Sequence, residues 1–143
     1  MSAKDLKALY RHYNEEINKG KAAGMAVIDK MIDANLILHG PSSRDIRGLK
    51  EYKQYASDMY DAFPDSHTAI EDMIAEGDKL TVRFTTTSTH KGVFMGIPPT
   101  NKKIMLSGIE INRIVGGKCV ECWERMDTLG LMQQLDVIPM PKK

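Results

Sequence analysis

The chain has 143 residues, of which 42% are hydrophobic and 27% charged, a composition typical of one globular domain that buries about two thirds of its unfolded surface. Twenty basic and nineteen acidic residues give a net charge of +1, so no strong field favours nucleic acid or an anionic membrane. No apolar run approaches the roughly 20 residues of a membrane-spanning helix. With no visible signal peptide and only two cysteines, we expect a cytoplasmic protein with reduced thiols.

The first half of the chain has helical periodicity. Apolar residues recur every three or four positions over residues 6–17, 22–32 and 49–63, which predicts three helices. Residues 35–38 predict a short strand or an extended link between the second and third helices. Pro64 ends the third helix, because proline cannot continue the hydrogen-bonding pattern.

After Pro64 the period falls to two, which predicts strands. The strands are expected over residues 67–75, 80–90, 103–115 and 118–127. The last two form a hairpin around Gly116 and Gly117, and a short helix follows over residues 129–135. Helices first and antiparallel strands afterwards indicate an α+β fold. We expect one domain over residues 1–136 and a tail rich in proline and lysine over residues 137–143.

Six segments stand out in order along the chain: AFPD (62–65), EDMIAEGD (71–78), TSTHKG (87–92), GIPPT (96–100), GIEI (108–111) and WERMDTLGLMQQL (123–135). Together they resemble the SnoaL-like polyketide cyclase (ester cyclase) family over nearly the whole chain. The resemblance implies the cone-shaped fold of nuclear transport factor 2 and ketosteroid isomerase, with N-terminal helices on a curved, mostly antiparallel sheet. It also implies intramolecular aldol condensation by acid/base side chains, with no metal or organic cofactor.

Asp127 is the leading catalytic candidate. It ends the last predicted strand four residues after Trp123, so both side chains should leave the same face of the sheet. The resemblance implies that an acidic residue near this position is the acid/base group, and a carboxyl group in an apolar pocket would have a raised pKa. The alternative is that Asp127 caps the helix that follows.

His90 and Glu110 are further catalytic candidates. His90 ends the apolar face of its strand, so it could relay a proton at the mouth of a pocket, or it could simply bond the following loop. Glu110 has apolar neighbours on both faces, where a carboxylate must be paired, protonated or turned towards a cavity. Pairing with Arg113 or Arg125 across the hairpin would make Glu110 purely structural.

Four residues are expected to contact a substrate, with core packing or loop closure as the alternative roles: His39, Phe63, Phe84 and Trp123. Cys119 and Cys122 lie three apart on a predicted strand, so their sulfurs should point to opposite faces. Without a second cysteine pair, no metal site is expected.

The sequence therefore favours an enzyme that acts on a small, apolar, oxygenated molecule by acid/base catalysis of aldol condensation or isomerisation. A non-catalytic protein that binds such a molecule in the same fold is the alternative. One face of the strand over residues 80–90 is rich in threonine and could pair two subunits, so we expect a homodimer or a higher homo-oligomer.

Overall fold

The computed structural model describes residues 1–40 and 43–141. Within these residues the helices are α1 (Ala3–Ile17), α2 (Lys21–Met31), α3 (Leu49–Ala62) and α4 (Thr128–Gln134). The strands are β1 (Ile32–His39), β2 (Ile46–Arg47), β3 (His67–Glu76), β4 (Lys79–Thr89), β5 (Lys103–Val115) and β6 (Lys118–Met126). This order confirms the predicted α+β class.

The strands form one open sheet in the order β2-β1-β6-β5-β4-β3. Neighbouring strands run antiparallel, except that β1 is parallel to β6. Register shifts interrupt three of these pairings, and such bulges bend a sheet. Helix α1 contacts β3 and β4, α2 contacts β6, and α3 contacts β1 and β2, so the helices cover one face of the sheet. We call this the inner face and the opposite one the outer face.

Helix α1 is fixed at both ends. At its start, Ser2 and Asp5 form a capping box: the Asp5 amide donates to Ser2 Oγ, and the Ser2 amide donates to Asp5 Oδ2. At its other end, the side-chain amides of Asn14 and Asn18 donate to the carbonyl of Thr68 in β3. The helix therefore presents the buried Leu6 and Tyr10 to the sheet in a defined position.

Helix α4 covers the edge of β5 that β6 does not reach. The Met105 amide donates to Gln134 Oε1, and Gln134 Nε2 donates to the Met105 carbonyl, both at 2.8 Å. The last two residues of the predicted tail, 142–143, lie outside the described residues. No helix in the described part of the chain is both long and apolar enough to cross a membrane.

Candidate active site

A cavity of about 220 Å³ lies between the helices and the inner face of the sheet. Its walls are mostly apolar, and none of the described residues that line it is basic. All five tyrosines of the chain line it: Tyr10, Tyr13, Tyr52, Tyr55 and Tyr60. The cavity also contains two carboxyl groups, which belong to neighbouring strands.

Glu110 on β5 lies directly opposite Glu124 on β6, and both carboxyl groups line the cavity. Glu110 is buried, and its Oε1 accepts a hydrogen bond from Tyr10 Oη at 2.6 Å and another from Asn112 Nδ2 at 3.1 Å. The Asn112 amide is oriented in turn by the Cys119 thiol, whose Sγ lies 3.6 Å from Asn112 Oδ1. Glu110 is thus embedded in a network of neutral donors.

The two glutamates do not ionise independently. Burial raises the pKa of the Glu124 carboxyl group well above its usual range, and the negative charge of Glu110 and the hydrogen bond to it act in the same direction. Like charges in so small a space cannot both be present without a large cost. A proton held by the pair therefore lies on Glu124, next to the negative charge of Glu110. Such a pair can accept a proton or donate one.

Neither Arg113 nor Arg125 pairs with Glu110, although the sequence allowed this alternative. Arg113 lies 3.5 Å from Glu121 instead. Arg125 donates to the backbone carbonyls of His39 and Glu124. The donors around Glu110 are uncharged, so its charge remains available to chemistry in the cavity.

A bulge in β6 produces the glutamate pair. The turn at Gly116 and Gly117 pairs Val115 with Lys118 and Ile114 with Cys119, and the next pair joins Arg113 to Glu121. Val120 is therefore an extra residue in β6. In an unbroken ladder Trp123 would lie opposite Glu110, since a shift of one residue exchanges the two faces of a strand.

The same bulge makes the prediction for the cysteines wrong. Cys119 and Cys122 both line the cavity, because the extra residue between them turns both side chains to the inner face of the sheet. Both thiols are free, and burial raises the pKa of Cys119 to about 12 and that of Cys122 well above its usual range. They are neutral wall residues. Among residues 1–40 and 43–141 no group of three or more His, Cys, Asp or Glu side chains is arranged to hold a metal ion.

Two tyrosine hydroxyls form a second polar group in the cavity. Tyr13 Oη of α1 and Tyr52 Oη of α3 lie 3.3 Å apart. Burial is the main cause that raises the pKa of both phenols, so they are uncharged donors. Tyr60 differs, because its hydroxyl donates to the carbonyl of Ile17 at 2.7 Å.

Of the seven residues predicted for the site, Glu110 and Phe84 line the cavity. Asp127 does not: it is exposed, and its Oδ1 accepts a hydrogen bond from the Gly130 amide at 2.9 Å. This is the helix-capping role that the sequence left open. The geometry does not support the catalytic role predicted for Asp127.

His90 and Phe63 lie beyond the end of the cavity. The His90 ring is fully buried, and its Nδ1 is 3.0 Å from Thr100 Oγ1 and accepts a hydrogen bond from the Thr100 amide. Phe63 packs against it, with 5.5 Å between the ring centroids. Strand parity does turn His90 inward, but towards Phe63 and the following loop, which fill that end of the fold. Neither residue lines the cavity.

His39 and Trp123 lie on the other side of the sheet. Their rings stack with 5.4 Å between centroids, and His39 Nε2 is 2.7 Å from Glu121 Oε2. His39 Nδ1 is 3.3 Å from Asp45 Oδ2. Trp123 follows a cavity-lining residue and precedes another, so alternation places it on the outer face. Substrate contacts predicted for His39 and Trp123 find no support in the geometry.

Sequence reasoning missed Glu124 and the role of the tyrosines. Glu124 lies opposite Glu110 only because of the bulge at Val120, and a regular hairpin register does not predict that bulge. The tyrosines of α1 and α3 have the spacing of ordinary packing residues. The one available signal was their number, since five phenols on two helices supply more hydroxyls than a dry core accommodates easily.

The fold and the cavity together define a cone-shaped α+β protein of the nuclear transport factor 2-like class, with a carboxyl pair in its pocket. The sequence pattern of the SnoaL-like polyketide cyclase family matches residues 7–135. The chain belongs to this family. No curated protein matches the sequence significantly.

Solved structures agree with this assignment. AclR, a proposed hydroxylase from Streptomyces galilaeus, superposes with a TM-score of 0.87 at 26% identity, covering 99% of this chain and 87% of that one. A proposed polyketide cyclase from Acidithiobacillus ferrooxidans superposes with a TM-score of 0.78 at 28% identity, covering 92% of this chain and 94% of that one. A proposed polyketide cyclase from Bacillus cereus superposes with a TM-score of 0.67 at 31% identity, covering 80% of this chain and 70% of that one.

Proposed function

We propose that this protein is a cyclase-type enzyme that uses the Glu110–Glu124 pair for acid/base catalysis on a hydrophobic, oxygenated small molecule. The observation that carries the proposal is a pair of directly opposed carboxyl groups, Glu110 and Glu124, inside a mostly apolar cavity. Membership of the SnoaL-like polyketide cyclase family favours intramolecular aldol condensation, with isomerisation as a related outcome.

The pair suits this reaction because it needs only proton transfers. In the first step the pair accepts a proton from a carbon next to a carbonyl group, and the electron pair of the C–H bond moves onto the carbonyl oxygen as an enolate. In the second step the enolate carbon bonds to a second carbonyl carbon of the same molecule. The oxygen of that carbonyl then takes the proton back from the pair. No oxidant or cofactor enters this balance.

The cavity also indicates the kind of substrate. It carries one negative charge and, among its described lining residues, no basic side chain, so an uncharged ketone or ester is favoured over a carboxylate. Its volume of about 220 Å³ is below the roughly 300–1,000 Å³ of pockets that take drug-sized ligands. A compact substrate that carries two carbonyl groups therefore fits best.

The test measures proton abstraction directly. One- and two-ring aromatic ketones and esters are incubated with the protein in D₂O, and deuterium uptake beside the carbonyl group is followed by NMR. We expect Glu110→Gln to slow exchange by about 10² to 10⁴, the usual contribution of a general base, because it removes the carboxylate that accepts the proton. The control is Asp127→Asn, which preserves a helix cap and should exchange at the wild-type rate.

Two outcomes would redirect the proposal. If Glu110→Gln exchanges normally and Asp127→Asn does not, the catalytic base is Asp127. If the ketones bind but wild-type protein catalyses no exchange, the non-catalytic binding function is the better description. Product mass separates a third possibility, raised by the name of AclR as a proposed hydroxylase. Aldol ring closure and isomerisation leave the mass unchanged and loss of water from the aldol lowers it, whereas hydroxylation adds one oxygen atom.

We further propose that the protein forms a homodimer through the outer face of its sheet. Directly opposed residues on four strands form a row there, Ile74–Thr81–Ile111–Trp123, and both isoleucines are exposed. Exposed apolar rows of this kind are typical of association surfaces. Sedimentation at several concentrations tests it, and a monomer at all of them would remove it. The cytoplasmic location remains a prediction from the sequence.

A further inference from the structure

The hydroxyls of Tyr13 and Tyr52 have one proton more than they use. Each phenol has one O–H donor, and the contact of 3.3 Å between their oxygens uses one of the two. In the described part of the chain neither hydroxyl has another hydrogen-bond partner, and both residues line the cavity. One phenolic proton therefore faces the cavity without a protein acceptor.

This proton is close to the proposed chemistry. The ring of Tyr13 packs against that of Tyr10, with 5.8 Å between centroids, and the Tyr10 hydroxyl is bonded to Glu110. The charge of Glu110 also raises the pKa of both Tyr13 and Tyr52. The carboxyl pair lies on the sheet and the phenol pair on the helices, so a small molecule between them would touch both.

We propose that the Tyr13–Tyr52 hydroxyl pair binds the substrate oxygen that becomes negatively charged when the carboxyl pair removes a proton. This inference rests on the proposed function and adds to it a partner for the enolate. When the proton moves from carbon to the carboxyl pair, the negative charge of the cavity moves from Glu110 to the substrate oxygen. The total charge inside the cavity stays constant, and the free phenolic O–H is already positioned beside the oxygen on which the charge develops.

The pair arrangement makes a specific prediction about variants. In Tyr13→Phe or Tyr52→Phe the remaining hydroxyl loses its partner, and its own proton becomes free for the ligand. Each single variant should therefore keep most of the binding to an anionic oxygen. The double variant Tyr13→Phe/Tyr52→Phe keeps no such donor and should lose it. Tyr60→Phe is the matched control, because it removes a cavity-lining phenol whose proton is already used by Ile17.

The probe is 4-nitrophenol, whose phenolate form has its own absorption band, and nitrobenzene is the same ligand without the oxygen. Wild-type protein should bind 4-nitrophenol as the phenolate, with the phenolic proton transferred to the carboxyl pair, so that the cavity keeps a single negative charge. The double variant should bind it at least about tenfold more weakly, as expected for the loss of one hydrogen bond to a charged oxygen. Its affinity for nitrobenzene should be unchanged, and Tyr60→Phe should bind both ligands like the wild type.

The other outcomes overturn the inference. Equal loss of both ligands in the double variant would show that the phenols only shape the cavity. Three results would show that another group holds the oxygen. They are unchanged binding of 4-nitrophenol by the double variant, binding of the neutral phenol by the wild type, and an equal loss of affinity in Tyr60→Phe. In each case deuterium exchange that still depends on Glu110 would leave the proposed function intact. Failure of wild-type protein to bind either ligand would count against both.

Discussion

Glu121 and Glu124 lie three residues apart on β6, yet their acidities shift in opposite directions. The hydrogen bond and positive charge of His39 lower the pKa of Glu121 on the outer face. Burial and the negative charge of Glu110 raise the pKa of Glu124 on the inner face. The two residues are chemically identical, so the side of the sheet decides whether a glutamate is a solvated ion or a potential acid catalyst.

The largest effect should come from exchanging the two faces. An alanine inserted between Cys122 and Trp123 would turn Trp123 and Arg125 inward and Glu124 outward. An unpaired arginine in the core should cost about 3–5 kcal/mol, the scale of an uncompensated buried charge. Urea unfolding measures this loss.

Deletion of Val120 is the matched control for that insertion. It removes the extra residue of the bulge but keeps residues 121–126 opposite their present partners. We expect the deletion to retain the fold and the raised pKa of Glu124. An insertion variant as stable as the wild type would mean that the inner face does not set the register.

The pH dependence of stability should differ in sign between the two glutamates. Because the folded pKa of Glu124 is raised above 4.5, folded protein binds more protons than unfolded protein between 4.5 and that pKa. Stability then falls as the pH rises through this window, by up to ~1.4 kcal/mol per pH unit. Glu124→Gln should remove the fall and become more stable than the wild type at the upper end of the window.

Glu121→Gln should behave in the opposite way. The folded pKa of Glu121 is lowered below 4.5, so its contribution is present above pH 4.5 and is lost as the pH falls through the folded pKa. The variant should be slightly less stable than the wild type at neutral pH and equal to it in strong acid. Chemical denaturation of both variants between pH 3 and pH 8 measures the two trends, and parallel curves would contradict the comparison.

The sequence was sufficient for the fold, because the change of period at Pro64 and the turn at Gly116 and Gly117 are strong local signals. For Glu110 it allowed the position at the cavity, since a carboxylate between apolar neighbours must be paired, protonated or turned towards a cavity. It could not identify Glu124. Which side chains of β6 point to the inner face depends on the one extra residue in the strand, and its position is set by the packing of the whole sheet. Asp127 shows the converse: an acid at the end of a strand has the same pattern whether it caps a helix or enters a pocket.

The smallest expected effect concerns Trp123, the only tryptophan of the chain. It lies on the outer face beside Ile111 and His39, and its ring is 5.6 Å from Lys79 Nζ. A ligand in the cavity is separated from it by the sheet, so 4-nitrophenol should not shift its emission maximum. If the outer face forms the dimer, dilution below the dissociation constant should shift the emission to longer wavelength as the indole meets water. A shift on ligand binding without any change on dilution would place the ligand on the outer face, and would reverse the roles of the two sides of β6.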